Sequence, residues 1–277
     1  MIGTGPRGIA ACRALSERGV PFDCFEKLGS VAESLFDPAE AARGADGRGQ
    51  RDAAHDLQAC AIAEVLESYV SRFGLRPRIA FGRAVEYVSR RRGGRWRVHL
   101  DRGPARFYHA IFVAAGHRPR GAARACSNLL LPDDAPFFDP EERDVLCDDL
   151  PLWNHLIHPR YPNLFFLARL PTVRLTLCIA EEQSRFAAAS LARDYALPAR
   201  SQMNRERRAM QLARRSPGSE PSHCPASVAD TRYAFHLRRE RVRRTPVSET
   251  VDRRAGAACE RRSVAFAPRS APVLARS

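Results

Sequence analysis

The sequence predicts an α/β fold, and three observations support this. A glycine-rich turn, Gly3-x-Gly5-x-x-Gly8, leads directly into a helical pattern at the start of the chain. Short apolar runs bounded by Gly, Pro or Asp recur further along and are typical of strands. Between these runs, a second apolar pattern has the spacing of an amphipathic helix. The order of turn, helix and strand at the start of the chain favours an α/β fold with a doubly wound sheet.

The first predicted helix covers residues 8–18, because apolar residues recur there at helical spacing and Gly19 can cap its C-terminal end. A short apolar strand over residues 20–25 follows, and Glu26 stands directly after it. The chain therefore opens as a turn, a helix and a strand that ends in a carboxylate.

The remaining elements follow the same periodicity rules. We predict a second helix from residue 56 to a stop at Gly74, and a third over residues 178–193. The predicted strands cover residues 79–88, 96–100, 107–115 and 164–167, the first two joined through a turn at Gly93-Gly94. Irregular structure is predicted for residues 37–54 and 117–150.

Charge and composition narrow the function classes. Residues 200–277 hold 18 Arg and 7 acidic residues, so +11 of the net charge of +14 lies there and +3 lies in residues 1–199. We predict that this arginine-rich tail is solvated and poorly ordered, with nucleic-acid binding as the less favoured alternative.

The eight cysteines and the His155-x-x-His158 pair lack metal-site spacing, so no metal is predicted. No run could span a membrane and a motif occupies the N-terminus, so we expect a cytoplasmic protein without a signal peptide.

The glycine turn predicts a dinucleotide site. Gly3 permits the tight turn, Gly5 clears the path of a pyrophosphate, and Gly8 lets the helix pack closely on a strand. The exposed N–H groups and the dipole of the helix would hold the anion. Glu26 stands where a carboxylate can accept hydrogen bonds from ribose hydroxyls, which suits FAD or NAD better than NADP. The predicted contacts are Gly3, Gly5, Pro6, Gly8, Glu26 and Lys27; a chance glycine turn is the alternative.

The order of these motifs resembles the FAD-binding domain of flavin-containing and Baeyer–Villiger monooxygenases. "VAAGH" at residues 113–117 stands where that family has a strand ending in Ala-Thr-Gly, with Ala115 in place of Thr. The resemblance covers about residues 1–36 and 56–210. The residues that match the family's Glu-x-Gln-x-Arg helix are Glu181, Gln183 and Arg185.

The resemblance implies a Rossmann-type FAD-binding domain over residues 1–199, assembled from segments 1–120 and 150–199, with Gly116 near the flavin. It also implies a flavin that takes hydride from NADPH, binds oxygen as a C4a-peroxide and oxygenates a small organic substrate. Because the cofactor performs the difficult chemistry in such enzymes, no catalytic side chain is predicted.

The sequence departs from the family pattern in several places. Met1 and Ile2 stand where the family has a central strand, whose loss we expect to cost on the order of several kcal/mol. "SVAESLFD" replaces a Gly-Gly-x-Trp stretch, and the tail diverges from the family. The 47 residues between Gly116 and Leu164 hold no second Gly-x-Gly-x-x-Gly for NADPH, and Phe-x-Gly-x-x-x-His is absent. We interpret the chain as a shortened, internally deleted copy, so a non-catalytic remnant or FAD-binding module is the alternative function.

Overall fold

The fold combines helices with two sheets: two helices and a short strand open the chain, five strands follow in succession over residues 79–113, and three helices end its described part. The structure, a computed structural model, describes residues 1–31, 53–115, 136–148, 150–167, 177–215 and 226–243. The helices are α1 (Pro6–Ser16), α2 (Ala53–Arg72), α3 (Pro140–Leu146), α4 (Leu177–Leu191), α5 (Arg200–Arg215) and α6 (Ala226–Arg243). The strands are β1 (Cys24–Phe25), β2 (Ile79–Ala80), β3 (Val85–Arg90), β4 (Trp96–Leu100), β5 (Arg106–Tyr108), β6 (Ile111–Val113) and β7 (Leu164–Phe166).

A parallel sheet forms the centre of the fold, and Ile2 joins its two halves. β1 pairs with β2 and β6 pairs with β7, both in parallel. Ile2 makes parallel bridges to Phe25 of β1 and to Val113 of β6. Its N–H donates to the Phe112 carbonyl at 2.9 Å, and its carbonyl accepts from the Ala114 N–H at 2.8 Å. The order across the sheet is therefore β2, β1, Ile2, β6, β7.

The first two residues thus occupy the central position for which the sequence predicted a missing strand, and Ile2 pairs there on both sides. The N-terminal ammonium group adds a hydrogen bond to the Asp23 carbonyl at 2.8 Å. The described residues therefore form a continuous sheet, with the expected gap bridged by hydrogen bonds.

A second, antiparallel sheet contains β3, β4 and β5. The predicted turn between β3 and β4 is confirmed: Gly93 and Gly94 have φ angles of +88° and +79°, which favour glycine. Two predicted strands are each divided between the sheets. Residues 79–88 break at Gly82, which has φ +63°, and residues 107–115 break after β5. Each run looks continuous because its two parts are both apolar: β6 is buried at every residue, and β3 and β5 belong to the adjoining sheet.

Alternating side chains of the parallel sheet enter two apolar cores. On one face, Phe112 and Phe165 pack beneath α1 and α4. The two helices approach closely because their contact faces carry small residues, including Ala11 on α1 and Ala187 on α4. On the other face, residues such as Val113 meet the antiparallel sheet. None of the helices that the structure describes contains a stretch long and apolar enough to cross a membrane.

α3 lies within the region predicted to be irregular. Its start carries a signal that could have identified it: Asp139 is the N-cap and accepts a hydrogen bond from the Glu141 N–H at 3.3 Å, and Pro140 occupies the first turn. The prediction is therefore wrong for Pro140–Leu146. Of the loop predicted at residues 37–54, residues 53 and 54 belong to α2 and the rest lies outside the described residues, as do residues 116–135 with His117.

The tail also differs from its prediction, because α5 and α6 form and pack against the rest of the chain. Met203 of α5 and Leu237 of α6 are buried in the main core. Both helices are rich in arginine, which is why the sequence favours a solvated segment. Residues 216–225 and 244–277 lie outside the described part of the chain.

Arg207 fastens α5 to the segment that follows α3. Its side chain is 2% exposed. Nη2 donates to Asp148 Oδ1 at 2.6 Å and to the Leu150 carbonyl at 3.0 Å, and Nε donates to the Pro151 carbonyl at 2.6 Å. The other carboxylate oxygen of Asp148 lies 3.1 Å from His158 Nε2. A buried polar network therefore holds this helix, together with the apolar contact of Met203.

This network should make the fold sensitive to acid. Burial raises the pKa of Asp148, but the hydrogen bonds from His158 and Arg207 outweigh burial and place that pKa below its ordinary value. A carboxyl with a lowered folded-state pKa stabilises the fold above its unfolded pKa, and this contribution is lost as the pH falls through the folded-state pKa.

We therefore expect Asp148→Asn to flatten the acid limb of the stability profile, measured by urea unfolding across a pH series. Asp144→Asn, which removes an exposed carboxylate on α3, is the control. Equal acid limbs in wild type and Asp148→Asn would show that this network does not set the acid sensitivity.

Candidate functional site

The glycine turn lies at the carboxyl end of the parallel sheet, where Ile2 leads into α1. Gly3 has φ +93°, and a Cβ there would lie 2.8 Å from the Ala114 carbonyl oxygen. A Cβ on Gly8 would lie 2.0 Å from the Gly3 carbonyl oxygen. By contrast, nothing lies within 4 Å of the Cβ position of Gly5. Close packing therefore leaves no room for a side chain at Gly3 or Gly8, while Gly5 faces open space.

The open space at Gly5 adjoins the start of α1. Gly5 is the N-cap of this helix and provides no side-chain hydrogen bond, and Pro6 occupies the first helical turn. Helices begin with N–H groups that lack partners within the helix and with the positive end of the dipole. A pyrophosphate could therefore approach the backbone here, so the residues fit the predicted group.

Glu26 is fixed at the end of β1 by hydrogen bonds. Its Oε2 accepts from the Thr4 N–H at 2.8 Å and from the Thr4 hydroxyl at 2.9 Å, and its Oε1 accepts from the Leu28 N–H at 3.0 Å. Thr4 is 1% exposed and Glu26 is 8% exposed. Since a carboxylate offers about four acceptor positions, one on Oε1 remains for a further donor. The structure thus brings Glu26 to the turn, and Thr4 is a contact that sequence reasoning missed.

The other predicted site residues have different surroundings. Lys27 is exposed beside Glu26, and Gly116 lies outside the described residues. The binding roles of all of these residues remain predictions.

Removal of the Glu26 side chain should weaken both the fold and dinucleotide binding. Glu26→Ala leaves the buried N–H and hydroxyl of Thr4 without their acceptor, and such a loss costs about 1–3 kcal/mol. We expect that decrease in the free energy of unfolding, together with a lower affinity for FAD. Thr4→Val, which removes the hydroxyl but keeps the carboxylate, should cost less affinity. Unchanged FAD affinity in a folded Glu26→Ala variant would refute the ribose contact.

The residues that match the family's Glu-x-Gln-x-Arg helix join several helices. Glu181 accepts from Arg13 Nη1 at 2.9 Å, from the Tyr69 hydroxyl at 2.7 Å and from Arg185 Nη2 at 3.1 Å. Burial raises the pKa of Tyr69 to about 12. Gln183, on the same helix, is buried. Glu181, which also pairs with Arg185 of its own helix, therefore connects α4 with α1 and α2.

Gln183 connects α4 with α6. Its amide Nε2 donates to the Tyr233 hydroxyl at 3.0 Å, and that hydroxyl donates to the Asn154 carbonyl at 2.8 Å. Arg238 adds an ion pair at 2.9 Å to Glu182, which is buried at the start of α4. These contacts explain why α6 packs on α4 although its sequence is rich in arginine.

A cavity of about 320 Å³ lies along β1 and β2. It is lined by both strands and by the residues that precede them, including Phe22, Pro77 and Arg78. Neither the glycine turn nor Glu26 lines it.

Comparisons with known proteins agree with this architecture. No protein-family model and no curated protein matches the sequence. Among solved structures, the chain is similar to S-allyl-L-cysteine S-oxygenase from Allium sativum, with a TM-score of 0.61 and 14% identity over 90% of this chain and 89% of that one. It is also similar to Tmm from Pelagibacter sp. strain HTCC7211, with a TM-score of 0.55 and 11% identity over 86% and 84% of the two chains. The chain therefore has a flavin monooxygenase-like fold of mixed helices and sheets.

Proposed function

We propose that this chain binds FAD at the glycine turn and supports flavin-dependent oxygenation of a small organic substrate. One observation carries the proposal: Gly5 leaves open space at the start of α1, while Glu26 is fixed at the end of the adjacent strand. Similarity of fold to an S-oxygenase supports the same type of chemistry.

Each part of the proposed site has a physical role. The pyrophosphate would lie against Gly5 and the first-turn N–H groups of α1. The adenosine ribose would donate a hydroxyl to the free acceptor position of Glu26 Oε1, with Pro6 and Lys27 as further predicted contacts, and Gly116 is proposed to contact the flavin. When bound, the flavin would supply the hydride-accepting and oxygen-activating chemistry, and the chain would bind and orient it. The proposed FAD-binding unit spans residues 1–199, and α5 and α6 pack on it.

A second candidate function is FAD binding without NADPH-driven turnover. The observation that favours it is that the sequence contains a single Gly-x-Gly-x-x-Gly motif, whereas the resembling family uses a second motif for NADPH. Both functions require FAD, so they differ in turnover rather than in the flavin site.

The test begins with the visible absorption spectrum of the purified chain, followed by titration with FAD. We expect a flavin spectrum at about one equivalent and quenching of flavin fluorescence on binding. NADPH oxidation with matching oxygen consumption would then favour the oxygenase, whereas bound FAD without NADPH oxidation would favour the second candidate. A folded chain that does not bind FAD would refute both.

A further inference from the structure

Arg7 is a partly buried arginine without a counter-charge in the part of the chain that the structure describes. Its Nε is buried and has no hydrogen-bond partner there. Burial lowers the pKa of Arg7 to about 10, and no described carboxylate forms an ion pair with it. Withdrawing part of a cationic side chain from water without a partner costs free energy, because hydration is lost.

Arg207, a buried arginine with a structural role, differs from Arg7 in its hydrogen-bond partners. Arg207 donates to one carboxylate and to two main-chain carbonyls at 2.6–3.0 Å. Arg7 lacks such partners, and it lies inside the glycine motif, between Gly5 and Gly8. Its position at the start of α1 places its main chain in the turn with the free N–H groups.

We infer that Arg7 binds the phosphate oxygens of the dinucleotide, and that its partly buried side chain, which has no described ion-pair partner, lowers the stability of the FAD-free protein. The inference rests on the proposed function, since it assigns a further residue to the same site. A guanidinium suits this task because its planar donors match phosphate oxygens in pairs, and such charge-assisted bonds are strong. The open space at Gly5 gives the anion access to the same turn.

This role predicts changes of opposite sign in stability and affinity. Arg7→Met keeps an unbranched apolar stem that reaches about as far as Nε, and it removes the charge. It should raise the Tm of the empty protein, because replacing a buried charge with an apolar group of similar size is neutral or stabilising. It should also weaken binding of inorganic pyrophosphate and of FAD by about 10- to 100-fold, the loss expected for a hydrogen-bonded charge. Arg7→Lys, which keeps the charge, should recover part of the affinity.

The experiment measures the Tm and the calorimetric Kd for pyrophosphate and FAD in wild type, Arg7→Met and Arg7→Lys. Arg97→Met is the matched control, because the Arg97 Nε is also buried without a described partner but lies on β4 of the antiparallel sheet. It should leave both affinities unchanged.

The outcomes separate this inference from the proposed function. Wild-type affinity in Arg7→Met, or a fall in its Tm together with affinity that Arg7→Lys does not restore, would overturn the role of Arg7 alone. If wild type bound pyrophosphate through Arg7 but did not bind FAD, the inference would stand and the proposed function would fail. If wild type bound neither probe, both would be overturned.

Discussion

Gly8→Ala is expected to destabilise the chain by about 3 kcal/mol or more, because the added methyl carbon would lie 2.0 Å from the main-chain oxygen of Gly3. Neither group can move alone: Gly3 is itself pressed against Ala114, and α1 is packed against α4. Since a whole domain is stable by about 5–15 kcal/mol, we expect a strongly lowered urea midpoint or insoluble protein.

Gly5→Ala is the matched control from the same motif. Nothing lies within 4 Å of its added carbon, so the urea midpoint should stay close to that of wild type. The same carbon would occupy the space proposed for the pyrophosphate, so FAD affinity should fall at least 10-fold, a loss of about 1.4 kcal/mol. Equal urea midpoints for Gly8→Ala and wild type would contradict the packing described here, and unchanged FAD affinity in Gly5→Ala would contradict the placement of the pyrophosphate.

Arg207→Ala is expected to lower the free energy of unfolding by about 3–5 kcal/mol, because it leaves buried polar groups without partners. The carbonyls of Leu150 and Pro151 and the carboxylate of Asp148 would each lose a donor. The protection of α5 amides in hydrogen exchange should fall further than that of α1.

Arg208→Ala is the control, because the neighbouring arginine is exposed on the same helix and its removal should change stability by less than about 0.5 kcal/mol. Arg207→Lys should fail to restore stability, since one ammonium group cannot reproduce the spread of donors of a guanidinium. An Arg207→Ala variant as stable as Arg208→Ala would show that the network does not hold α5.

The parts of the fold that depend on local pattern could be predicted from the sequence. The strand predicted at residues 164–167 and the helix at 178–193 correspond to Leu164–Phe166 and Leu177–Leu191. The turn of Gly3, Gly5 and Gly8 and the position of Glu26 after a strand also follow from spacing, because those residues lie close together along the chain.

The parts of the fold that depend on contacts between residues far apart along the chain could not be predicted from the sequence. Nothing near Thr4 in the sequence shows that its hydroxyl reaches Glu26, which is 22 residues away. The tail was misjudged for the same reason: Arg207 and Tyr233 resemble solvated residues until their partners near residues 148–154 are known. The position of Ile2 between two strands is likewise a property of the whole sheet, since two residues have no periodicity of their own.

The central place of Ile2 has a consequence for the order of folding. Its partners are residues 25 and 113, and the ion pair that joins α1 to α4 spans 168 residues of chain. Contacts of such large sequence separation slow folding, because the entropy of closing a long loop is lost before the contacts can stabilise the chain. On a ribosome that adds about 5–20 residues per second, the start of the chain would emerge long before its second strand partner. During that interval no sheet would cover the apolar residues of α1. Early association with a chaperone would therefore favour a high yield of folded protein.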